Sequence, residues 1–227
     1  MKKFIKFVLV SASVWGTLCA QVFAGLLVAS DFDSGTLDGW QRKNDGKTGI
    51  ISNPVSGGND GGYLLFTDGT SGGPAENILA PEQFLGDWSR ALTSPESSFI
   101  SLDAILFDPH VEQGNVDQII LFIEGAGGAA FIDLGLPSVE DSWQQFVAPL
   151  KQADWIITSG NWNSLLSDIS AFEIQMDWVN PAGKETGIDN IVLSLDGAAS
   201  VPEPGTIGLL LLVLLLLAGR SYHKNFG

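Results

Sequence analysis

The stretch AFEIQMDW at residues 171–178 decides the fold class, because its apolar and polar residues alternate strictly from Phe172 onward. Successive side chains of a β-strand point to opposite faces, so this alternation predicts a strand with one buried face. The apolar residues predicted to face the core are Phe172, Ile174, Met176 and Trp178.

The same period of two recurs at ISLDAIL, residues 100–106, and at IVLSL, residues 191–195. A short helix is predicted at 162–170, and no long helical period occurs between 25 and 197. Turn-forming clusters separate the apolar stretches. These clusters are GGNDGG at 57–62, DGTSGG at 68–73 and GAGG at 125–128. Many short strands with turns between them predict one all-β domain, a sandwich or jelly roll, over residues 25–197.

The charge of the chain limits its partners. Of 227 residues, 11 are basic and 26 are acidic. Five basic residues lie in the two end segments, so residues 25–203 carry an excess of 20 negative charges. Such a surface repels phosphate, which excludes nucleic acid as a partner, and it attracts divalent cations. The only cysteine, Cys19, lies in the N-terminal segment, so the middle domain is expected to have no disulfide.

Residues 1–24 have the pattern of a secretory signal peptide. The basic start MKKFIKF precedes an apolar stretch, and Val22-Phe23-Ala24 provides a cleavage site. We expect cleavage after Ala24 and export of the remaining chain. A retained N-terminal anchor is the alternative.

The C-terminal residues 198–227 contain a short motif, an apolar segment and a basic tail, in that order. The segment at 207–219 is entirely apolar or glycine, which is shorter than the roughly 20 residues of a comfortable membrane span. Arg220 follows it and would hold the tail on the cytoplasmic side. The motif residues are Val201, Pro202, Glu203 and Pro204.

This arrangement resembles the PEP-CTERM sorting signal, with a transmembrane segment at about 206–219. The resemblance implies recognition by an exosortase in a Gram-negative host that makes exopolysaccharide. The membrane would then hold the chain only before processing, and the mature protein would reach the cell surface or extracellular matrix. An ordinary C-terminal anchor is the alternative.

The middle domain has a second resemblance. DFDSGTLDGW at 31–40 and GIDNIVLSL at 187–195 are similar to the opening and closing motifs of galactose-binding-like jelly rolls, which include many carbohydrate-binding modules. YLLFTDG at 63–69, LGDW at 85–88 and the closing motif also resemble laminin IV type A (laminin B) domains. The resemblance implies one structural calcium where the first strand meets the last, with Asp33 and Asp189 as matching ligands. Carbonyl groups near Asp60 would add donors, and turn-capping by both aspartates is the alternative.

Three tryptophans are candidates for carbohydrate contact, because sugars stack their C–H faces on exposed aromatic rings. Trp88, Trp155 and Trp162 lie in segments rich in Gly, Asp, Asn and Ser, where a ring could be exposed. Packing in the core is the competing interpretation for all three, since large aromatic residues dominate small cores.

The sequence gives no catalytic residue. Gly69-Thr70-Ser71-Gly72-Gly73 fits the G-x-S-x-G pattern, but Pro74 follows and no strand–helix alternation surrounds it. His110 would have to serve such a serine. We therefore predict a carbohydrate-binding module rather than an enzyme, with extracellular polysaccharide as its partner. A structural matrix or adhesion protein is the first alternative, and a secreted hydrolase is the second.

Overall fold

A computed structural model describes residues 25–69, 76–107, 118–178 and 184–195. Several sequence predictions lie outside the described residues. They are the signal peptide 1–24, the sorting segment 198–227 with its motif Val201, Pro202, Glu203 and Pro204, and the side chains Ser71 and His110. Within the four described ranges, no helix is both long and apolar enough to cross a membrane.

The described residues form two antiparallel sheets joined by turns and short helices. In chain order the strands are β1 (Leu26–Ser30), β2 (Gln41–Arg42), β3 (Ile50–Ser52), β4 (Leu64–Thr67), β5 (Asn77–Leu79), β6 (Phe99–Phe107), β7 (Ile120–Gly125), β8 (Gly128–Asp133), β9 (Gln144–Pro149), β10 (Ile156–Gly160), β11 (Ile169–Gln175) and β12 (Glu185–Leu195). The first sheet has the order β3-β4-β12-β6-β9, and β1 also pairs with β12. The second sheet has the order β10-β8-β7-β11-β5-β2.

Short helical segments lie between the strands. Helix α1 (Trp162–Leu166) begins at Asn161, whose side chain accepts the backbone N–H groups of Asn163 and Ser164. This capping satisfies donors that the first turn leaves unpaired. The predicted short helix at 162–170 is confirmed over its first five residues, whereas Ile169 and Ser170 begin β11. The segments Glu82–Phe84, Ser89–Leu92 and Gln152–Asp154 are single 3-10 turns.

The hairpin of β7 and β8 confirms the predicted turn at 125–128. Gly125 pairs with Gly128, which leaves a two-residue turn of Ala126 and Gly127. A side chain at Gly127 would collide with the backbone of Ser164 in α1, so this glycine permits the helix to pack on the hairpin.

Buried apolar residues from both sheets form one hydrophobic cluster. The strand predicted from 171–178 ends at Gln175, yet its four predicted inward residues are all buried. Those residues are Phe172, Ile174, Met176 and Trp178. Two antiparallel sheets around one core are the jelly-roll β-sandwich predicted from the sequence, and the fold class is confirmed.

Candidate functional site

The three candidate tryptophans lie in the core, which is the competing interpretation that the sequence left open for them. Trp88, Trp155 and Trp162 expose only 0%, 5% and 3% of their surface. The ring of Trp88 packs edge-on against Phe172, with centroids 6.0 Å apart. A ring enclosed on its faces cannot stack on a sugar, and none of the three is a stacking platform in this structure.

Hydrogen bonds fix two of these rings in place. The indole N–H of Trp88 donates to the Phe84 carbonyl at 3.1 Å, and that of Trp155 donates to the Pro149 carbonyl at 2.8 Å. Trp155 and Trp162 pack together, with ring centroids 5.7 Å apart. Buried indoles usually find such partners, and these contacts are typical of structural tryptophans.

The structure brings Asp33 and Asp189 to one loop. Strands β1 and β12 pair side by side, and both carboxylates contact the GGNDGG loop at residues 57–62. One oxygen of Asp33 accepts the Gly62 N–H at 2.9 Å, and Oδ2 of Asp189 accepts the Asn59 N–H at 2.9 Å. Asp33 therefore contacts the last residue of this loop, and Asp189 contacts its middle.

Asp189 belongs to a buried polar group that the sequence did not indicate. It lies directly opposite Asp103 in the β12–β6 ladder, and its own surface is fully buried. The side-chain N–H groups of Asn59 and Asn190 donate to Asp103 at 2.8 and 3.0 Å. Burial raises the pKa of Asp189 to about 6; backbone N–H donors oppose the rise and the Asp103 carboxylate adds to it.

Calcium at this place stays a prediction. It takes about six to eight oxygen ligands, and no group of three or more His, Cys, Asp or Glu side chains suited to a metal occurs among the described residues. Both oxygens of Asp189 accept backbone N–H groups, at 2.7 Å from Asn190 and 2.9 Å from Asn59. N–H donors thus already compensate this carboxylate, and these side chains alone do not make a calcium site.

The outer face of the second sheet carries a groove of about 370 Å³. Alternation along β7 turns Leu121 and Ile123 into the core and leaves Phe122 and Glu124 on the outer face. We call this cavity the Phe122 groove. Its main side chains are Lys43, Asn77, Phe122, Glu124, Phe131 and Glu173.

Two phenylalanine rings form the apolar part of the groove. Phe122 and Phe131 are a cross-strand pair of the β7–β8 hairpin, with centroids 5.9 Å apart and planes tilted by 39°. Both side chains are half-buried. Exposed Ile156 of β10 lies opposite Phe131 and extends the apolar row. The groove therefore offers aromatic surface that solvent or a ligand can reach.

Polar groups flank the rings on the side of β11 and β5. Glu173 lies opposite Phe122, and the ammonium of Lys43 is 2.7 Å from both carboxylate oxygens of Glu173. The Asn77 amide N–H donates to the same carboxylate at 2.7 Å. An apolar surface with a few converging polar groups is the usual composition of a small-molecule site.

None of the site residues predicted from the sequence lines the Phe122 groove. The available signal was IILFIE at 119–124, which places a phenylalanine and a glutamate at outward positions of a strand.

No protein-family model matches the chain, and no curated protein matches it either. Among solved structures, the chain is similar to the family 11 carbohydrate-binding module of the cellulosomal cellulase Lic26A-Cel5E of Clostridium thermocellum. The sequence identity is 18% and the TM-score is 0.48, and the match covers 75% of this chain and 95% of the module. It is similar to the L4b domain of human laminin alpha-2, with 13% identity and a TM-score of 0.44. This match covers 53% of this chain and 70% of the laminin domain. It is also similar to an exo-beta-agarase, with 16% identity and a TM-score of 0.49, over 76% of this chain and 25% of the agarase.

Proposed function

We propose that the β-sandwich is a carbohydrate-binding domain of an exported protein, and that the Phe122 groove is its binding site. The observation that carries the proposal is the tilted pair of Phe122 and Phe131 on an open sheet face. Sugar rings have apolar C–H faces and polar edges. The two rings suit the faces, and the carboxylates and amide beside them suit the hydroxyl groups.

The described residues support binding rather than catalysis. Among the described residues of the groove the only cation is Lys43, which is engaged with Glu173 at 2.7 Å. The hydrolase alternative depends on Ser71 and His110, which lie outside the described residues. Extracellular polysaccharide is therefore the partner that we propose for the groove.

Truncating either phenylalanine is expected to weaken polysaccharide binding about tenfold, which corresponds to about 1.4 kcal/mol. Phe122→Ala and Phe131→Ala each remove one stacking face. Because both rings are half-buried, we expect only a modest loss of stability, about 1 kcal/mol from the lost ring pair. Affinity electrophoresis of the purified protein in gels containing a panel of polysaccharides measures the binding, and thermal melts measure the stability.

Val147→Ala is the matched control, since this exposed apolar side chain lies on β9 of the other sheet. It should leave retention unchanged. Polysaccharide binding that survives the loss of both phenylalanines would exclude the groove as the site.

A structural matrix or adhesion role without a defined ligand is the second candidate. The burial of Trp88, Trp155 and Trp162 favours it, since it removes the exposed tryptophans expected of a glycan site. The same panel separates the two functions. If no polysaccharide retards the wild-type protein, the structural role is the better account.

We also propose that an exosortase processes the C-terminus of the exported chain. The order of Val201-Pro202-Glu203-Pro204, the apolar segment and Arg220 supports this proposal. Deleting residues 202–227 should give an exported protein that is released without C-terminal processing. Mass spectrometry of the C-terminus and cell fractionation in the native host compare the two forms. An intact C-terminus in the mature wild-type protein would contradict the proposal.

A further inference from the structure

The Phe122 groove contains an unequal set of charges. Lys43, the one cation among its described side chains, contacts both oxygens of Glu173, and Asn77 donates to the same carboxylate. This end of the groove is therefore neutral. Glu124 adds a negative charge that no cation of the groove compensates.

Glu124 is placed to meet a ligand. Its cross-strand neighbours are Ala129 on β8 and Ala171 on β11, and their methyl groups leave space on both sides of the longer side chain. The side chain of Glu124 is exposed, and in the part of the chain that the structure describes no basic side chain pairs with it. A carboxylate in this setting can accept a donor from the ligand.

The rings beside Glu124 favour a positive charge as well. Phe122 is two residues away on the same face of β7, and Phe131 lies opposite Phe122. The face of an aromatic ring carries partial negative charge and attracts a cation. A uronate or sulfated sugar would instead be repelled, both by the Glu124 carboxylate and by the net negative charge of the domain.

We infer that the Phe122 groove binds an amino sugar with a free ammonium group in preference to uncharged or acidic sugars. This inference rests on the proposed carbohydrate-binding function and names its ligand class. Glu124 pairs with the ammonium group, and the two phenylalanine rings contact the apolar face of the sugar. Lys43 remains engaged with Glu173 and leaves the groove without a free cation.

Matched hexasaccharides test the inference, because they differ only in the group at C2. Hexamers of glucosamine, N-acetylglucosamine and glucose, in a β-1,4-linked and a β-1,6-linked series, are titrated calorimetrically into the purified protein below the pKa of the sugar amine. Exposed ion pairs contribute little, so we expect glucosamine to bind about two- to fivefold more tightly than glucose in the linkage that binds. Added salt should reduce this preference.

Glu124→Gln should abolish the preference, so that the glucosamine and glucose hexamers bind this variant with equal affinity. Glu82→Gln is the control, because Glu82 is an exposed carboxylate outside the groove and reports attraction by the acidic surface in general. Equal affinities for the three hexamers, or equal effects of the two substitutions, would overturn the inference and leave carbohydrate binding intact. If no hexamer of either linkage binds, the proposed function and the inference both fail.

Discussion

Trp88→Ala should lower the free energy of unfolding by about 3–5 kcal/mol, as expected for a large core aromatic. Trp88 is fully buried, packs edge-on against Phe172 and donates its indole N–H to the Phe84 carbonyl. Truncation leaves a cavity and an unpaired carbonyl group. For a domain of this size each kcal/mol shifts the melting temperature by about 2–4 °C, so we expect a fall of about 10 °C.

Differential scanning calorimetry of the wild type and the variant measures this fall. Val147→Ala serves as the control, because its side chain is 48% exposed and its truncation leaves no cavity. A Trp88→Ala protein that melts like the wild type but loses carbohydrate binding would contradict the structural role assigned to this ring. It would revive the exposed-tryptophan hypothesis.

The hairpin of β7 and β8 shows how much of the candidate site the sequence contains. GAGG at 125–128 predicts a turn, and a two-residue turn fixes the register of both strands. Phe122 and Phe131 then follow as a cross-strand pair. Alternation places them on the face opposite Leu121 and Ile123. Turn length and alternation along the strands are therefore enough to predict the aromatic half of the groove.

The polar half of the groove was not predictable in this way. Lys43 and Glu173 are 130 residues apart in sequence, and they meet because β5 lies between β2 and β11 in the second sheet. The order of strands in a sheet follows from packing of the whole domain and not from local periodicity. A single sequence therefore cannot place this ion pair beside Phe122.

The tryptophans illustrate a second limit of prediction from sequence. The segments around Trp88 and Trp162 are rich in Gly, Asp and Ser, which indicates turns and loops. The structure has a 3-10 turn after Trp88 and a short helix that begins at Trp162. Turn composition says where the chain changes direction, but it does not say which way a large ring points. Burial decided the direction for these rings, because enclosing a large apolar side chain is strongly favourable.

Ser101 and Asp103 show the same limit on the first sheet. Alternation predicts that both side chains face away from the core, opposite Ile100 and Leu102, yet both are buried. The loop at 57–62 reaches this outer face, and the Asn59 side chain donates to Asp103. A period of two distinguishes the faces of a strand, but it cannot show that a distant loop contacts the second face.

The stability difference between the wild type and Asp189→Asn should change by about 2 kcal/mol between pH 4 and pH 7. Burial raises the pKa of Asp189 in the folded domain to about 6, whereas an unperturbed aspartate has a pKa of about 3.9. The folded state therefore holds this proton more tightly than the unfolded state. The protonated form of Asp189 therefore stabilises the folded domain. This stabilisation is fully present below about pH 4, and it is lost as the pH rises through about 6.

Asparagine cannot titrate, so the pH-dependent contribution of this one residue disappears in the variant. The wild type should have its greatest relative advantage near pH 4 and lose it towards pH 7, even though both proteins share the remaining acidic residues. Urea unfolding at half-unit pH intervals, with chelator present to exclude bound cations, measures the difference. Glu82→Gln is the control, because its exposed carboxylate meets water in the folded domain. A constant difference between wild type and Asp189→Asn from pH 4 to pH 7 would show that Asp189 titrates alike in the folded and unfolded states, contrary to its complete burial opposite Asp103.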